Sequence, residues 1–230
     1  MNKLVKQLAF AGALAFASAS QAGMIGFEDY IKNDDRHRKN ATDVGFDTGD
    51  NNVSFFAKNR LGVSKKVFVV REGYPADAYV PGDEIPSGPN YDGGHFFLTE
   101  DKDGPSTRFD YFMNFEKGIS DLSLAVYDYG AYGGPTANDP LTLFLYDIDW
   151  NEVGSYTTTP GGNPSDIPDP NLILLSASTD SVAYHAAVIF SKGDVGTGID
   201  NVRFTTVPEP GSIALLALGL VGLSFARRRA

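Results

Sequence analysis

The chain has 230 residues, no cysteine, three histidines and a formal net charge of −10 at neutral pH. That length suits one domain with a sizeable core. The acidic balance argues against a nucleic-acid partner, which needs a basic face, and the lack of cysteine excludes disulfides, thiolate metal sites and thiol nucleophiles.

Residues 1–22 read as a secretory signal peptide. Lys3 and Lys6 make a basic start, an apolar stretch follows over 8–17, and Ser20-Gln21-Ala22 places small residues at both cleavage-determining positions, so a cut after Ala22 is expected. The apolar run is too short for the alternative, a transmembrane helix. The body then runs over 23–206 and a distinct tail over 207–230. Signal (Lys3, Lys6) and tail (three arginines less Glu209) each carry a net +2, which leaves −14 on the body.

Along the body, Met24-Ile25-Gly26-Phe27-Glu28 suits an edge strand, and 33–52 is polar and charged, as a solvated loop would be. Residues 66–70 are β-branched and aromatic, so they read as a strand. Residues 74–94 carry Pro75, Pro81, Pro86 and Pro89 with several glycines, which rules out a central strand or helix. This is expected to be a long loop, and its Tyr74, Tyr79 and Tyr91 either stack on sugar rings or pin the loop to the core. Strand signals then come regularly. They fall at 95–99; at 108–115, with Phe109, Tyr111, Met113 and Phe115 on one side by the two-residue period; and at 122–127. Residues 141–146 form a near-continuous apolar run, as a strand buried on both faces would. Further strands are expected at 153–156, 172–176, 182–190 and 201–205. About ten short strands with turn signals between them, and no amphipathic helix of length, indicate an all-β fold, an antiparallel β-sandwich of jelly-roll type.

Between two of these strands lies Asp147-Ile148-Asp149-Trp150-Asn151-Glu152-Val153-Gly154. Alternate Asp147, Asp149 and Asn151 suit a calcium ion, but the later bidentate Glu of a full calcium loop is missing, and the same residues suit a tight hairpin turn. Trp150, the single tryptophan, would lie near the tip of that turn, and if exposed it is the best candidate for stacking on a sugar. His37, His95 and His185 are scattered, no Gly-x-Ser-x-Gly elbow occurs, and the glycine-rich 193–198 fits neither a dinucleotide nor a phosphate loop. A non-enzymatic role is expected.

The tail reads Val207-Pro208-Glu209-Pro210-Gly211-Ser212, then a 14-residue apolar run over 213–226, then Arg227-Arg228-Arg229. A helix of that length spans about 21 Å, short of a hydrocarbon core of about 30 Å. The arginines should stay cytoplasmic as a stop, and the two prolines keep the segment before the helix extended, which suits a protease. Pro208-Glu209-Pro210, a short apolar helix and Arg227, Arg228 and Arg229, in this order at the chain's end, resemble the PEP-CTERM sorting signal of Gram-negative bacteria that make extracellular polysaccharide. The resemblance implies an exosortase, a multi-pass membrane protease or transpeptidase, as processing partner. It also implies export through the inner membrane to the envelope, surface or extracellular matrix. A plain C-terminal membrane anchor is the alternative.

A second, shorter resemblance joins the body's two ends. Phe27-Glu28 early and Ile199-Asp200-Asn201-Val202 late are similar to the ends of jelly-roll carbohydrate-binding modules, and imply Glu28 and Asp200 as ligands of a structural calcium ion. The expected function is therefore an exported, surface-retained sandwich that binds polysaccharide. The rivals are a secreted glycan-processing enzyme and a calcium-stabilised spacer domain.

Overall fold

The computed structural model describes residues 21–27, 38–42, 44–59, 61–71, 96–100, 109–127, 139–158, 172–191 and 197–208. Within them the chain is all-β. Its strands are β1 (Gln21–Ile25), β2 (Arg38–Asn40), β3 (Gly45–Asp47), β4 (Asn52–Asn59), β5 (Ser64–Lys65), β6 (Val67–Arg71), β7 (Phe96–Glu100), β8 (Phe109–Tyr127), β9 (Leu141–Tyr146), β10 (Glu152–Thr158), β11 (Leu172–Phe190) and β12 (Gly198–Thr206). Every ladder between them is antiparallel.

Two strands of 19 residues, β8 and β11, hold the network together. The first half of β8 pairs with β4, and there β11 pairs with both β8 and β9, with β10 beyond β9. The second half of β8 pairs with the first half of β11 on one edge and with β12 on the other. Beyond β12 lie β1 and β7, then β6 and β2.

Between these halves both long strands are irregular. The register shifts between Ser178 and Ala183 and again between Ala183 and His185. The buried side chains of β8 are odd-numbered from Phe109 to Phe115, but Leu122, Leu124 and Val126 are even-numbered; β11 changes phase too, from Leu175 and Ala177 to Ala186, Val188 and Phe190. A one-residue change of phase turns a strand's apolar set to the other face, so these bulges let each strand face one core along its whole length. That core draws on both halves: Val53, Phe55, Met113, Leu143 and Val188 from one, Leu122, Leu175, Ile199 and Phe204 from the other. Phe115 meets Phe204 edge-on at 5.2 Å, Phe27 meets Phe55 at 5.4 Å, and the Tyr111 hydroxyl donates to the Thr197 carbonyl at 2.7 Å.

The irregular stretch of β8 is clamped by a buried amide. Asn51 Nδ2 donates to the Lys117 carbonyl, and Asn51 Oδ1 accepts from the Lys117 N–H, both at 2.9 Å. The clamp replaces ladder bonds that a bulged strand cannot make. One residue past β12, the Val207 N–H donates to the Gly118 carbonyl at 2.7 Å; Pro208, which has no N–H, follows.

Several sequence expectations shift. The first strand is Gln21–Ile25 rather than 24–28, so a cut after Ala22 would remove its two exposed leading residues and leave Gly23–Ile25 paired with Val202–Phe204. The polar 33–52 stretch contains β2 and β3, which lie on β6 and β4. The pairs 108–115 with 122–127, and 172–176 with 182–190, are one continuous strand each, because the bulges bend them without ending their pairing. In β9 burial alternates: Leu141, Leu143 and Leu145 are inside, whereas Thr142, Phe144 and Tyr146 are half-exposed. Residues 1–20 of the expected signal segment, the 74–94 loop and the apolar run of the tail lie outside the described residues; among those described, no helix is long and apolar enough to cross a membrane.

Asn51→Ala should cost about 1–2 kcal/mol in urea unfolding, because two part-buried main-chain groups of Lys117 lose their partners. An unchanged midpoint would show that the clamp is dispensable.

Candidate functional site

The outer face of the β4–β8–β11–β9 half carries an unusual number of aromatic rings. Antiparallel register puts Ser54, Asn114, His185 and Tyr146 in one row across the four strands, and Phe56, Phe112, Ala187 and Phe144 in the next. Lys58 and Asp110 start a third row on β4 and β8. Phe56 and Phe112 stack at 5.1 Å with an interplanar angle of 10°, and Phe144 and Tyr146 stack at 5.9 Å. Between the two pairs lies Ala187, whose small side chain is fully buried. The four rings are half-exposed rather than buried.

Trp150 caps one end of this face. The turn from β9 to β10 is closed by Asp147 N–H to the Asn151 carbonyl at 2.9 Å and by Trp150 N–H to the Asp147 carbonyl at 3.2 Å. Trp150 itself has φ of +64°, the left-handed conformation that costs a side-chain-bearing residue roughly 1–3 kcal/mol. The surroundings hold it there. Asp147 Oδ1 accepts from the Asp149 and Asn151 N–H groups, both at 2.9 Å, and Oδ2 accepts from Asn151 Nδ2 at 3.0 Å. The conformation swings the indole back over the sheet. It lies flat on the His185 ring at 4.1 Å and 5°, with Tyr146 at 5.5 Å and Phe112 at 6.2 Å. The indole stays 41% exposed. The arrangement is a ring surface with polar groups at its margin, which can take flat, hydroxyl-bearing ligands.

His185 is the titratable group beneath the tryptophan. Its Nδ1 lies 2.8 Å from Asn114 Oδ1. Burial holds its pKa below the usual histidine value, opposed by a hydrogen bond to the Ile148 backbone and by the charge of Asp147. The hydrogen bonds from Asn151, side chain before backbone, hold the Asp147 carboxyl below its usual value. Burial raises the Tyr146 phenol, with Glu152 adding to it.

Of the residues singled out in the sequence, Trp150 is on this face, whereas Asp147, Asp149 and Asn151 form the turn that holds it. Asp147 directs its oxygens at that turn's own amides, which is the hairpin reading of the motif. Asp200 is 2% exposed within β12, next to Asn201 with φ of +51°, so it is a buried strand residue. The bulge there falls where β12 changes neighbour from β7 to β1, and the pairing of Ile25 with Val202 brings the chain that leads to Glu28 alongside. Glu28, Tyr74, Tyr79, Tyr91, Glu209, Pro210 and the arginines 227–229 lie outside the described residues. Among the described residues, no three histidine, aspartate or glutamate side chains gather to hold a metal. Phe56, Phe112, Phe144, Tyr146 and His185 escape sequence reasoning, since only the register of four distant strands unites them.

Residues 206–229 match the PEP-CTERM protein-sorting motif. This chain carries an exosortase sorting signal. The motif implies processing by that membrane protein, and with it export and sorting to the cell envelope or surface. It begins at the last residue of β12, so sorting signal and folded body adjoin without a linker. No curated protein matches the chain. Among solved structures it is similar to the K2 cleaved adhesin domain of Lys-gingipain, with 11% identity, TM-score 0.47, and coverage of 81% of this chain and 100% of that one. It is also similar to the mannan-recognising carbohydrate-binding module TmCBM27, with 10% identity, TM-score 0.33, and coverage of 82% and 100%. A third is the arabinose-bound α-L-arabinofuranosidase MgGH51, with 9% identity, TM-score 0.43, and coverage of 82% and 27%.

A histidine with a lowered folded pKa favours folding above its unfolded value of about 6.5, and that contribution is lost as the pH falls to the folded value. The melting temperature should therefore decline below about pH 6.5, and His185→Gln should remove part of the decline. A profile that the substitution leaves unchanged would overturn this coupling.

Proposed function

We propose that the chain is an exported protein of the cell surface or extracellular matrix that binds polysaccharide and does not process it. We read its two halves as the layers of a jelly-roll-like β-sandwich, a reading supported by the single core that both halves feed. The observation that carries the binding function is the posture of Trp150. A left-handed backbone, three hydrogen bonds to one carboxylate and a flat seat on His185 hold a large indole at the surface, and a body that needed only burial would place it inside. Tyr74, Tyr79 and Tyr91 are assigned as further stacking groups. A structural calcium ion held by Glu28 and Asp200 is assigned to the junction of β1 and β12, supported by the pairing of those strands and the burial of Asp200.

Trp150 fluorescence should respond to extracellular polysaccharides, and Trp150→Ala should weaken their retention in affinity electrophoresis by at least about tenfold. Equal retention of both proteins would reject binding through this residue, and release of new reducing ends would replace it with a glycan-processing enzyme. Calcium at about 100 times its dissociation constant should add about 2.7 kcal/mol to stability, seen as a higher melting temperature that Asp200→Asn abolishes. No shift would remove the ion from this account.

A further inference from the structure

We propose that the ligand of the Trp150 face is an acidic polysaccharide, one bearing carboxylate or sulfate groups, and that the β4–β5 hairpin beside the face recognises its charge. The proposal rests on the polysaccharide-binding function above and adds the class of polymer.

The body carries −14, which repels any polyanion at long range. At physiological ionic strength, however, the Debye length is about 8 Å, so a bound chain is governed by the charges it touches. Over the whole face the charges are mixed, since Glu152 and Asp110 act on Tyr146 and Asp147 on His185, but basic groups gather at its β4 edge. The hairpin places Lys58 of β4 opposite Ser64 of β5 and close in sequence to the exposed Lys66, whereas Lys65 pairs with the buried Ala57 and so lies on the inner side. Its tip carries Leu61, 86% exposed, and Val63, 53% exposed.

Lys58 joins this basic element to the aromatic one. Its side chain shares the outer face with Phe56, and its Nζ lies 5.3 Å from the Phe56 centroid and 5.2 Å from that of Phe112, over the stacked pair. The ammonium is thus held above the ring surface, where a carboxylate on a sugar stacked over those rings would meet it. Asp110 is the acidic group in the same row, and its Oδ1 accepts the Phe190 N–H at 3.0 Å. The distance across the face agrees with an extended ligand. From the His185 row on β11 to the Lys58 row on β4 is two strand spacings and two rows, roughly 16 Å on the diagonal. An oligosaccharide lying that way has Trp150 under one end, the Phe56–Phe112 pair beneath its middle, and Lys58 at the other end. A second copy of this chain is a poorer occupant, since it brings another −14 to the same surface.

The test uses the full-length protein in detergent, with Trp150 emission as the readout, and compares sodium polygalacturonate with a neutral galactan of similar length. Polygalacturonate should bind at least about tenfold more tightly, and raising NaCl from about 50 to about 200 mM should weaken it roughly tenfold, as release of counterions from a few cation contacts requires. Lys58→Ala with Lys66→Ala should abolish the preference and flatten the salt dependence while leaving the protein folded. Lys66→Glu, a single exposed substitution, should weaken polygalacturonate alone and guards against misfolding of the double variant. If the galactan binds as tightly as polygalacturonate, or if the lysine variants keep the preference, the acidic-polymer proposal fails and polysaccharide binding stands. If neither polymer nor any other glycan perturbs Trp150, both fail. Polygalacturonate-dependent dimerisation of the wild type, with no response in the monomer, would also overturn the proposal in favour of contact between copies.

Discussion

The structure depends on one constraint: β8 and β11 must each serve two neighbourhoods of strands while facing a single core. A regular strand cannot do this, since its alternation is fixed from end to end. Both strands therefore change phase at mid-length, and the backbone groups freed by that change need partners. Asn51 supplies them to Lys117 from the turn before β4, and Val207 supplies one to Gly118 from the end of β12. The turn before β4 and the segment that leads out of the body are thus both tied to the place where β8 bends.

The same bend explains what was legible beforehand. Period-two alternation identified the inward set of the first half of β8 residue by residue, because Phe109, Tyr111, Met113 and Phe115 are all buried. It broke the strand in two because the phase change resembles an ending. The stretch 141–146 looked buried on both faces because Phe144 and Tyr146 are as apolar as their inward neighbours, and no local signal separates an aromatic residue facing the core from one facing a ligand. Strand β4 hides in plain alternation, with Val53, Phe55 and Ala57 buried, behind a polar stretch that draws attention to itself.

The candidate site was legible only at Trp150, for a local reason: a lone tryptophan in a run of turn residues is out of place in a core. Its partners come from 56, 112, 144 and 185, and only strand order makes them adjacent. The left-handed φ that aims the indole over His185 was equally hidden, since Asn or Gly would be the ordinary occupant of that position. A side chain that bears this conformational cost at the surface is kept there by what it contacts.

Gln21 pairs with Thr206, so β1 begins where β12 runs into the sorting signal, at one end of the body, whereas the lysine hairpin extends from the far end of β4. Strand β12 lies between β8 and β1, with its C-terminus continuing into the sorting signal. Tension between a tethered tail and a gripped polymer would run along β12, loading its cross-strand hydrogen bonds in shear, all together rather than one after another. In that direction an antiparallel ladder resists force best, so the strand order suits the body to bear mechanical load between a cell and its surroundings.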